Sequence, residues 1–351
     1  MQKVRAEIYL DSIRRNAESF RARTGKPLCA VVKANAYGHG AEEVVNALNG
    51  VADCFAVALI EEGKEILTAA CGKDILVFTP PTDEEECYAL ASSNLLASVG
   101  DLRTAKLLSS VCRRYGLSVR VHLKVNTGMN RYGMDVSDLE RVCKFLSKDP
   151  FVKVTGIYSH LCECSFVRAK GQRELFLKAE GICKGYFPKV NAHLSATYGA
   201  LLGQAFAFDM VRVGIGLYGY LPCQPSKKSG VRQIPALEKG MRVYAKRILT
   251  RKFRFGGAGY GKALSVKQNT PFSVYRVGYA DGFLRRRENG TFGADKNAGN
   301  ACMDACIRED KGKRGEWVLV LDNADTTAKK TGTISYEVLC AATRRAEHLY
   351  P

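Results

Sequence analysis

The sequence predicts a (β/α)8 barrel followed by a smaller, mostly β domain. Its 351 residues are more than one average domain needs, which suggests two domains. Over roughly the first 220 residues, eight short β-branched runs alternate with amphipathic stretches, as in such a barrel. An open, doubly wound sheet would give a similar series and remains an alternative. After a polar, turn-rich segment at 224–230, the hydrophobic period becomes two, which is typical of strands with one exposed face.

The barrel elements follow from hydrophobic periodicity. Short apolar runs are typical of parallel strands that are buried on both faces. The predicted strands are Leu28–Lys33, Phe55–Leu59, Ile75–Thr79, Leu95–Ser98, Ser118–Val125, Val154–Ser159, Lys189–His193 and Asp209–Val213. Between them, apolar residues recur near i, i+3 and i+4, which predicts helices. The predicted helices include Ala41–Leu48, Ile60–Ala70, Asp101–Tyr115, Leu139–Leu146 and Gln172–Gly185.

The predicted division places residues 1–228 in the barrel and residues 229–351 in the second domain. Beyond the division, three segments alternate apolar and polar residues and are separated by Gly- and Asp-rich turns. These predicted strands are Val243–Leu249, Phe272–Val277 and Trp317–Leu321. They indicate a domain built mainly from antiparallel strands.

Charge and cysteine content limit the classes of function. The chain carries 53 Lys plus Arg against 35 Asp plus Glu, a net charge of +18, most of it beyond Ser229. No apolar run approaches a signal-peptide core or the roughly 20 residues that span a bilayer, so a soluble protein is expected. The 13 cysteines include no C-x-x-C pair, which predicts no metal site and favours a reducing cytoplasm. The basic surface is expected to bind neither nucleic acid nor membrane.

One lysine carries the strongest chemical signal. Lys33 ends the first predicted barrel strand and precedes a Gly-rich turn, in the string AVVKANAYGHG at residues 30–40. Catalytic groups of barrels lie at the carboxyl ends of strands, and a partly desolvated lysine amine forms Schiff bases. The string closely resembles the pyridoxal-phosphate attachment motif of the alanine racemase family, whose members are fold-type III barrel enzymes.

Further segments resemble the same family in register along nearly the whole chain. They include KVNTGMNRYGM, GIYSHL and MVRVGIGLYG in the barrel, and short Gly-Tyr and Cys-Met-Asp strings beyond it. In all, seven segments resemble the family, and they lie at 5–16, 124–134, 156–161, 210–219, 259–261, 278–282 and 302–304. The resemblance implies an isomerase that interconverts L- and D-alanine and supplies D-alanine for cell-wall peptidoglycan.

The resemblance also implies the two acid/base groups that racemisation requires. Lys33 would hold pyridoxal phosphate and exchange a proton on one face of the substrate Cα. Tyr260, contributed by the partner subunit of a homodimer with shared active sites, would act on the other face. A tyrosine pKa near 10 must fall for this role, and Arg212 and His193 would supply part of the help.

The remaining site residues are implied by the same resemblance. Arg212 would contact the pyridine nitrogen, and His160 would lie against the cofactor. The residues expected at the cofactor phosphate are Tyr37, Thr197, Gly214 and Ile215. Substrate contacts are expected from Arg131, Met303 and Tyr279. The supporting residues are Lys124, expected to be carbamylated, with His193 and Asp304.

Several positions depart from the family pattern. Asn126 replaces an aspartate, Asn300 an arginine, and Arg344 a tyrosine that bounds the substrate pocket. Cys164-Ser165 replaces the usual Ala-Asp pair. These departures leave open how the pocket selects its substrate and whether activity is retained.

Other functions remain as alternatives. Some strings, such as His193–Gly199, resemble serine/alanine racemases, so serine racemisation or a broader specificity is the first alternative. A decarboxylase of similar architecture would need a different second domain, and a non-catalytic pyridoxal-phosphate carrier would lack one. Nucleic-acid binding rests only on basic clusters such as Arg285–Arg287.

Overall fold

A computed structural model describes residues 4–254, 268–283, 291–292, 295–296, 301–310, 312 and 315–351. Tyr260, Asn300 and Arg285–Arg287 lie outside the described residues. The chain divides into two compact units. The barrel unit comprises Ile13–Ala34 and Ala41–Glu238, and the sheet unit comprises the described residues up to Ser12, Asn35–Gly40 and the chain from Lys239.

The described elements alternate between strand and helix through the barrel unit, and strands dominate the sheet unit. In chain order they are β1 (Val4–Ile8), α1 (Leu10–Thr24), β2 (Leu28–Val31), α2 (Lys33–Gly38), α3 (Ala41–Leu48), β3 (Cys54–Val57), α4 (Ile60–Glu65), β4 (Ile75–Val77), α5 (Glu84–Ser92), β5 (Ala97–Val99), α6 (Leu102–Tyr115), β6 (Val119–Lys124), α7 (Val136–Leu146), β7 (Val152–Tyr158), α8 (Phe166–Tyr186), β8 (Asn191–His193), α9 (Thr197–Leu201), α10 (Gln204–Ala207), β9 (Val211–Val213), β10 (Met241–Lys252), β11 (Pro271–Tyr275), β12 (Thr291–Phe292), β13 (Asp295–Lys296), β14 (Cys306–Glu309), β15 (Trp317–Leu321), α11 (Ala324–Thr331), α12 (Ser335–Ala342) and β16 (Glu347–Leu349).

The barrel unit is a closed cylinder of eight parallel strands. Strands β9, β2, β3 and β4 pair in that order, and β5, β6, β7 and β8 form the other half. A parallel bridge between Leu76 and Leu96 joins β4 to the start of β5. The backbone N–H of Arg212 donates to the Ser195 carbonyl at 2.9 Å and closes the cylinder between β8 and β9. Closure confirms the predicted barrel and excludes the open sheet.

Short apolar strands suit this position because both of their faces are covered. Every residue of β2, β4, β5 and β9 is buried. The helices have one apolar face, and local chemistry sets their ends. Helix α6, for example, begins where the Asp101 side chain accepts the N–H of Thr104 at 2.7 Å and ends at Gly116, whose φ is 65°.

The sheet unit contains a six-stranded sheet in the order β14-β11-β10-β1-β16, with β15 also paired to β10. Strand β1 runs antiparallel to β10, with Val4 opposite Ala245, and parallel to β16, with Ala6 opposite His348. The expected division at residue 228 placed this N-terminal segment with the barrel. Its residues alternate between buried and half-buried, so β1 suits a sheet with one covered face better than a barrel wall.

No helix among the described residues is both long and apolar enough to cross a bilayer.

Candidate active site

Polar side chains cluster at the carboxyl ends of the barrel strands. Lys33 lies two residues beyond β2 and His160 two residues beyond β7, while Lys124 and His193 are the last residues of β6 and β8. Arg212 lies in the middle of β9. Because the strands are parallel, their carboxyl ends meet at one end of the barrel, where the fold carries its catalytic groups. The barrel unit therefore brings these five predicted residues to the same end.

Arg212 is a buried guanidinium held by neutral groups. Its Nη1 donates to His193 Nδ1 at 2.7 Å and to the His193 carbonyl at 2.8 Å. Its Nη2 donates to the carbonyls of Ser159 and Leu194 at 2.7 and 3.2 Å. Burial lowers the pKa of Arg212, yet a guanidinium stays protonated in proteins. Within the described part of the chain, no group accepts from its Nε–H, so this donor is left for an acceptor on a ligand.

Two buried histidines extend the Arg212 contacts into the barrel interior. His193 Nε2 lies 2.9 Å from His122 Nδ1. Burial, and then the Arg212 charge, lower the pKa of His193 well below its usual range and that of His122 to about 3. Both rings are therefore neutral. Since Arg212 only donates, His193 Nδ1 accepts, its Nε2 carries the proton, and His122 Nδ1 accepts that proton's hydrogen bond.

His122 is a residue of this site that sequence reasoning missed. The signal was a polar side chain in β6 between two buried apolar neighbours, Val121 and Leu123. Its ring occupies the space where a Cβ on Gly156 would lie, only 2.6 Å from the ring atoms. The glycine in the predicted GIYSHL segment therefore makes room for the histidine.

Lys124 is a buried amine surrounded by aromatic and cationic groups. Its Nζ lies 4.9 Å from the centre of the Tyr158 ring, and that ring stacks on His193 at 5.1 Å. Nζ donates to the Val125 carbonyl at 3.3 Å. Burial, followed by the charges of Arg212 and Arg131, lowers the pKa of Lys124 to about 7. A large fraction of this amine is therefore neutral and nucleophilic at neutral pH.

His160 lies among four cationic side chains. Burial of its ring lowers the pKa of His160 well below the usual value, and nearby positive charges lower it further. In order of effect, these charges belong to Arg212, Lys124, Arg131 and Lys33. Concentrated positive charge at one end of a barrel attracts anionic ligands such as phosphates and carboxylates. His160 is neutral there, so it can contact a ligand without adding to the charge.

The loop after β9 packs tightly against Thr197. The Thr197 hydroxyl accepts the Gly216 N–H at 3.2 Å. A Cβ on Gly216 would lie 2.5 Å from the Phe20 ring, so a glycine is required for this approach. Gly214 and Ile215 open the 3-10 turn Ile215–Tyr218, and N–H groups at the start of such a turn lack partners within it. Backbone donors of this kind suit an anion, and the Thr197 hydroxyl lies beside the same turn through its bond to Gly216.

Arg131 lies on an exposed loop that Asn126 organises. Asn126 Oδ1 accepts the N–H groups of Gly128 and Asn130 at 3.1 and 3.0 Å, and its Nδ2 donates to Asp135 at 3.1 Å. The two N–H groups would bond equally to a carboxylate oxygen. The replacement of the family's aspartate by Asn126 therefore leaves the hydrogen bonds of the loop that carries Arg131 intact.

Tyr37, in the sheet unit, belongs to a strained turn that begins at Lys33. Four consecutive residues, Ala34 to Tyr37, have φ between 51° and 55°, which makes α2 left-handed. This conformation costs roughly 1–2 kcal/mol per non-glycine residue. Tyr37 is buried, with its ring 6.0 Å from that of Tyr336. Strain of this kind persists where surrounding contacts enforce it, commonly at functional sites.

Tyr279 and Met303 present exposed apolar side chains on neighbouring loops of the sheet unit. They are 38% and 54% exposed. The Tyr279 N–H donates to the Cys302 carbonyl at 3.1 Å, and the Ala280 N–H donates to that of Met303 at 3.0 Å. The backbone segments that carry the two side chains are therefore hydrogen-bonded to each other.

Arg345 holds these two loops, although sequence reasoning did not select it. Its Nε donates to Asp281 Oδ1 at 2.9 Å and its Nη2 to Asp304 Oδ1 at 2.7 Å. Asp281 is buried and also accepts the Gly278 N–H at 2.7 Å. Asp304, predicted as a supporting residue, thus supports the loops through Arg345. Its neighbour in sequence, Arg344, is exposed.

Comparison with known proteins decides the family. The family model described as the alanine racemase N-terminal domain matches residues 8–222, and that of the alanine racemase C-terminal domain matches residues 241–350. The chain belongs to the alanine racemase family. A match to both domains favours this family over the decarboxylase and over the single-domain carrier.

Relatives in the family match the chain from end to end. The alanine racemase of Synechocystis sp. is 31% identical over 368 residues, which cover 98% of each protein. The alanine racemase of Clostridium perfringens strain SM101 is 30% identical and covers all of this chain and 96% of its own. The solved alanine racemase structure of Clostridium difficile 630 superposes with a TM-score of 0.90 at 26% identity, covering 100% and 96% of the two chains.

Proposed function

We propose that this protein is a pyridoxal-phosphate-dependent alanine racemase that interconverts L- and D-alanine. The observation that carries the proposal is Arg212, a buried cation with a spare Nε–H among neutral partners, at the same end of the barrel as Lys33. Such a donor suits an unprotonated ring nitrogen, because a guanidinium donates a hydrogen bond without transferring its proton.

The residues present fit the cofactor. Lys33 would bind its aldehyde carbon, Arg212 its ring nitrogen, and Thr197, Gly214 and Ile215 its phosphate. Tyr37 would add a phenol to the phosphate, and His160 would lie against the ring. When bound, pyridoxal phosphate supplies an electron sink that stabilises negative charge at the substrate Cα.

The proton transfers belong to side chains of this protein. The Lys33 amine would remove or return the Cα proton on one face, and Tyr260 of the second subunit would act on the other face. Arg131 would bind the substrate carboxylate with two hydrogen bonds. His193, supported by His122, would hold Arg212 in place. Because both rings are neutral, the positive charge of Arg212 would stay uncompensated and available to the cofactor.

Carbamylation of Lys124 is part of this proposal. Carbon dioxide reacts with a neutral amine, and the lowered pKa of Lys124 supplies that form near neutral pH. The product is an anion, which would convert repulsion between Lys124 and Arg131 into attraction. Arg131 would then be held in position for the substrate.

The proposal includes a homodimer with shared active sites. Residues 1–228 would bind the cofactor, and residues 229–351 would supply Tyr260 to the partner's site. Tyr279 and Met303, which are exposed and adjacent, would narrow the substrate entrance of that site. Thirteen free thiols suit a reducing cytoplasm, where the product D-alanine would enter peptidoglycan synthesis.

Serine is the second candidate substrate, because Arg344 stands where many family members have a pocket tyrosine. The test compares formation of the D-enantiomer from L-alanine and from L-serine, together with the visible absorption of the bound cofactor. We expect turnover of L-alanine and an absorption band that Lys33→Ala abolishes. Wild-type protein without the band would contradict the cofactor assignment, and turnover of serine alone would reverse the substrate order.

A further inference from the structure

Two histidines bind the carbonyl groups at the end of the left-handed turn α2. His39 Nδ1 lies 3.0 Å from the Ala36 carbonyl oxygen and 3.1 Å from that of Tyr37. His348 Nε2 lies 2.9 Å from the next carbonyl oxygen, that of Gly38. A carbonyl oxygen can only accept, so each of these ring nitrogens carries the proton. Three consecutive carbonyl groups therefore accept hydrogen bonds from two imidazole rings.

The two histidines come from different parts of the sheet unit. His39 directly follows the turn and is fully buried, and burial lowers the pKa of His39 to about 3, so its ring is neutral. His348 lies in strand β16, 310 positions after Gly38, and is partly exposed. Its Nε2 carries a proton both in the neutral tautomer that donates here and in the charged ring, so the hydrogen bond persists in either form. The C-terminal strand thus supplies one donor to the turn.

The six-stranded sheet holds His348 in place. Strand β16 is the edge strand next to β1, and Ala6 lies opposite His348 in their parallel pairing. The His348 ring stacks on that of Tyr350, with 6.3 Å between the ring centres and 12° between the ring planes. A side chain that is already ordered loses little further conformational entropy when it binds the turn.

One face of α12 packs against the same turn. Tyr336, Leu339 and Thr343 are spaced at i, i+3 and i+7, which places them on one side of the helix. The Tyr336 ring lies 6.0 Å from the Tyr37 ring. A Cβ on Gly38 would lie 2.6 Å from Thr343 Oγ1 and 2.8 Å from the Leu339 carbonyl oxygen. The segment from α12 to β16 therefore contacts the turn at both Tyr37 and Gly38.

The turn depends on such contacts because its own conformation is unfavourable. Residues Ala34–Tyr37 have φ between 51° and 55°, a region that residues with a Cβ rarely adopt. The last carbonyl groups of a helical segment also lack partners within it. Without donors from outside, the turn would relax toward ordinary dihedral angles and displace the Tyr37 side chain.

We propose that His348 is a positioning residue, whose hydrogen bond to the Gly38 carbonyl keeps Tyr37 in place for the phosphate of pyridoxal phosphate. The role rests on the proposed function, which assigns the Tyr37 phenol to that phosphate. His348 acts through the turn, so loss of its hydrogen bond should weaken binding of a ligand that carries the phosphate and spare a ligand that lacks it.

The test measures binding of pyridoxal phosphate and of pyridoxal, which has no phosphate, to the full chain after removal of its cofactor. In His348→Gln, the side-chain amide nitrogen can take the place of Nε2 and donate to the Gly38 carbonyl. In His348→Asn, the side chain is shorter and its amide cannot reach that carbonyl. Glu347→Gln, at the exposed neighbouring position of β16, is the control. Absorbance titration gives the Kd of each ligand.

The expected pattern separates the phosphate from the rest of the cofactor. In His348→Asn, Kd for pyridoxal phosphate should rise roughly 3- to 10-fold, as for the loss of one hydrogen bond, while Kd for pyridoxal stays unchanged. His348→Gln and Glu347→Gln should bind both ligands as the wild-type protein does. The proposal is overturned if His348→Asn binds pyridoxal phosphate normally, if it weakens both ligands equally, or if His348→Gln binds as weakly as His348→Asn.

Hydrogen exchange of the same cofactor-free proteins distinguishes this role from the proposed function. The amides of residues 34–40 should exchange faster in His348→Asn than in the wild-type protein or His348→Gln, while protection of the barrel strands verifies that each variant is folded. Equal exchange in all four proteins, with normal cofactor binding by the wild type, would refute the role of His348 alone. A wild-type protein that binds no pyridoxal phosphate would refute the proposed function and this role together.

Discussion

The neutral histidines behind Arg212 show how single residues control charge in this site. Arg212 has no carboxylate among its hydrogen-bond partners in the described part of the chain, so its positive charge remains available to a ligand. Because Arg212 can only donate, the nitrogen that accepts and the nitrogen that carries the proton are fixed in each histidine ring. The order of donors and acceptors therefore runs from Arg212 through His193 to His122.

This order predicts the effect of replacing His122. In His122→Phe, the His193 Nε2–H would lose its buried acceptor, which costs about 1–3 kcal/mol of the free energy of unfolding. His122→Asn should recover part of the loss, since its amide oxygen can accept. Urea unfolding of the three proteins measures the difference. Equal stability of the Phe and Asn variants would show that the acceptor does not matter.

The lowered pKa of Lys124 predicts a pH-dependent modification. Above pH 7 the neutral amine dominates and reacts with carbon dioxide, whereas below it the protonated amine cannot. Carbamate on Lys124 should therefore increase as the pH rises through about 7. NMR of protein equilibrated with ¹³C-bicarbonate measures it, with Lys124→Met as the control. A bare amine in a high-resolution electron-density map would refute the modification.

At the scale of elements, close approaches between strands and loops determine which side chains reach the site. Strands β6 and β7 pair with a shift in register between Val121 and His122, next to Gly156. In the sheet unit, Arg345 joins the loops of Tyr279 and Met303 by two carboxylates. The first arrangement positions His122, and the second positions Tyr279 and Met303.

The β6–β7 packing predicts a strong effect of one methyl group. In Gly156→Ala, the new Cβ would lie 2.6 Å from buried His122 atoms, and overpacking of this kind costs about 1–3 kcal/mol. Gly171→Ala, in α8, is the matched control because nothing lies within 4 Å of its added Cβ. Thermal unfolding should show a lower midpoint for the first variant and an unchanged or higher midpoint for the second.

The Arg345 contacts predict an effect on the substrate entrance. The single Nζ of a lysine cannot reproduce the two separate donor atoms, Nε and Nη2, through which Arg345 bonds Asp281 and Asp304. Arg345→Lys should therefore loosen the surface that carries Tyr279 and Met303. We expect KM for L-alanine to rise several-fold with a smaller change in kcat. Lys329→Met, on the outer helix α11, serves as the control. A change confined to kcat would contradict a role at the entrance.

At the scale of the whole molecule, the proposed activity requires two chains. Lys33 and Tyr260 are assigned to opposite faces of one substrate but to different subunits. Each subunit would thus contribute to two active sites. Because the sites would be shared, activity would depend on association of the two subunits.

Mixing two inactive variants tests the shared site. Lys33→Ala lacks one base and Tyr260→Phe the other, so each homodimer should be inactive. After dissociation and reassociation together, mixed dimers contain one site with both bases, and racemisation should reappear. Each variant carried alone through the same treatment is the control. Continued inactivity of a mixture whose mixed dimers are verified by mass spectrometry would contradict subunit sharing.

The sequence by itself predicted a barrel, a strand-dominated second unit and a resemblance to the alanine racemase family, whereas the choice between a closed barrel and an open sheet came from the structure. Hydrophobic periodicity is a local property, and a motif such as AVVKANAYGHG around Lys33 is read from consecutive residues. The sequence also indicated five residues that the structure brings together at one end of the barrel: Lys33, Lys124, His160, His193 and Arg212.

Only the tertiary structure decided which distant residues support them. His122 and Gly156 are 34 positions apart in the chain, and Arg345 meets Asp281 across 64 residues. No local pattern encodes such pairs, because they depend on strand register and loop packing. For the same reason, the pairing of β1 with β10 placed the N-terminal strand in the sheet unit, and only burial among cations lowered the pKa of Lys124.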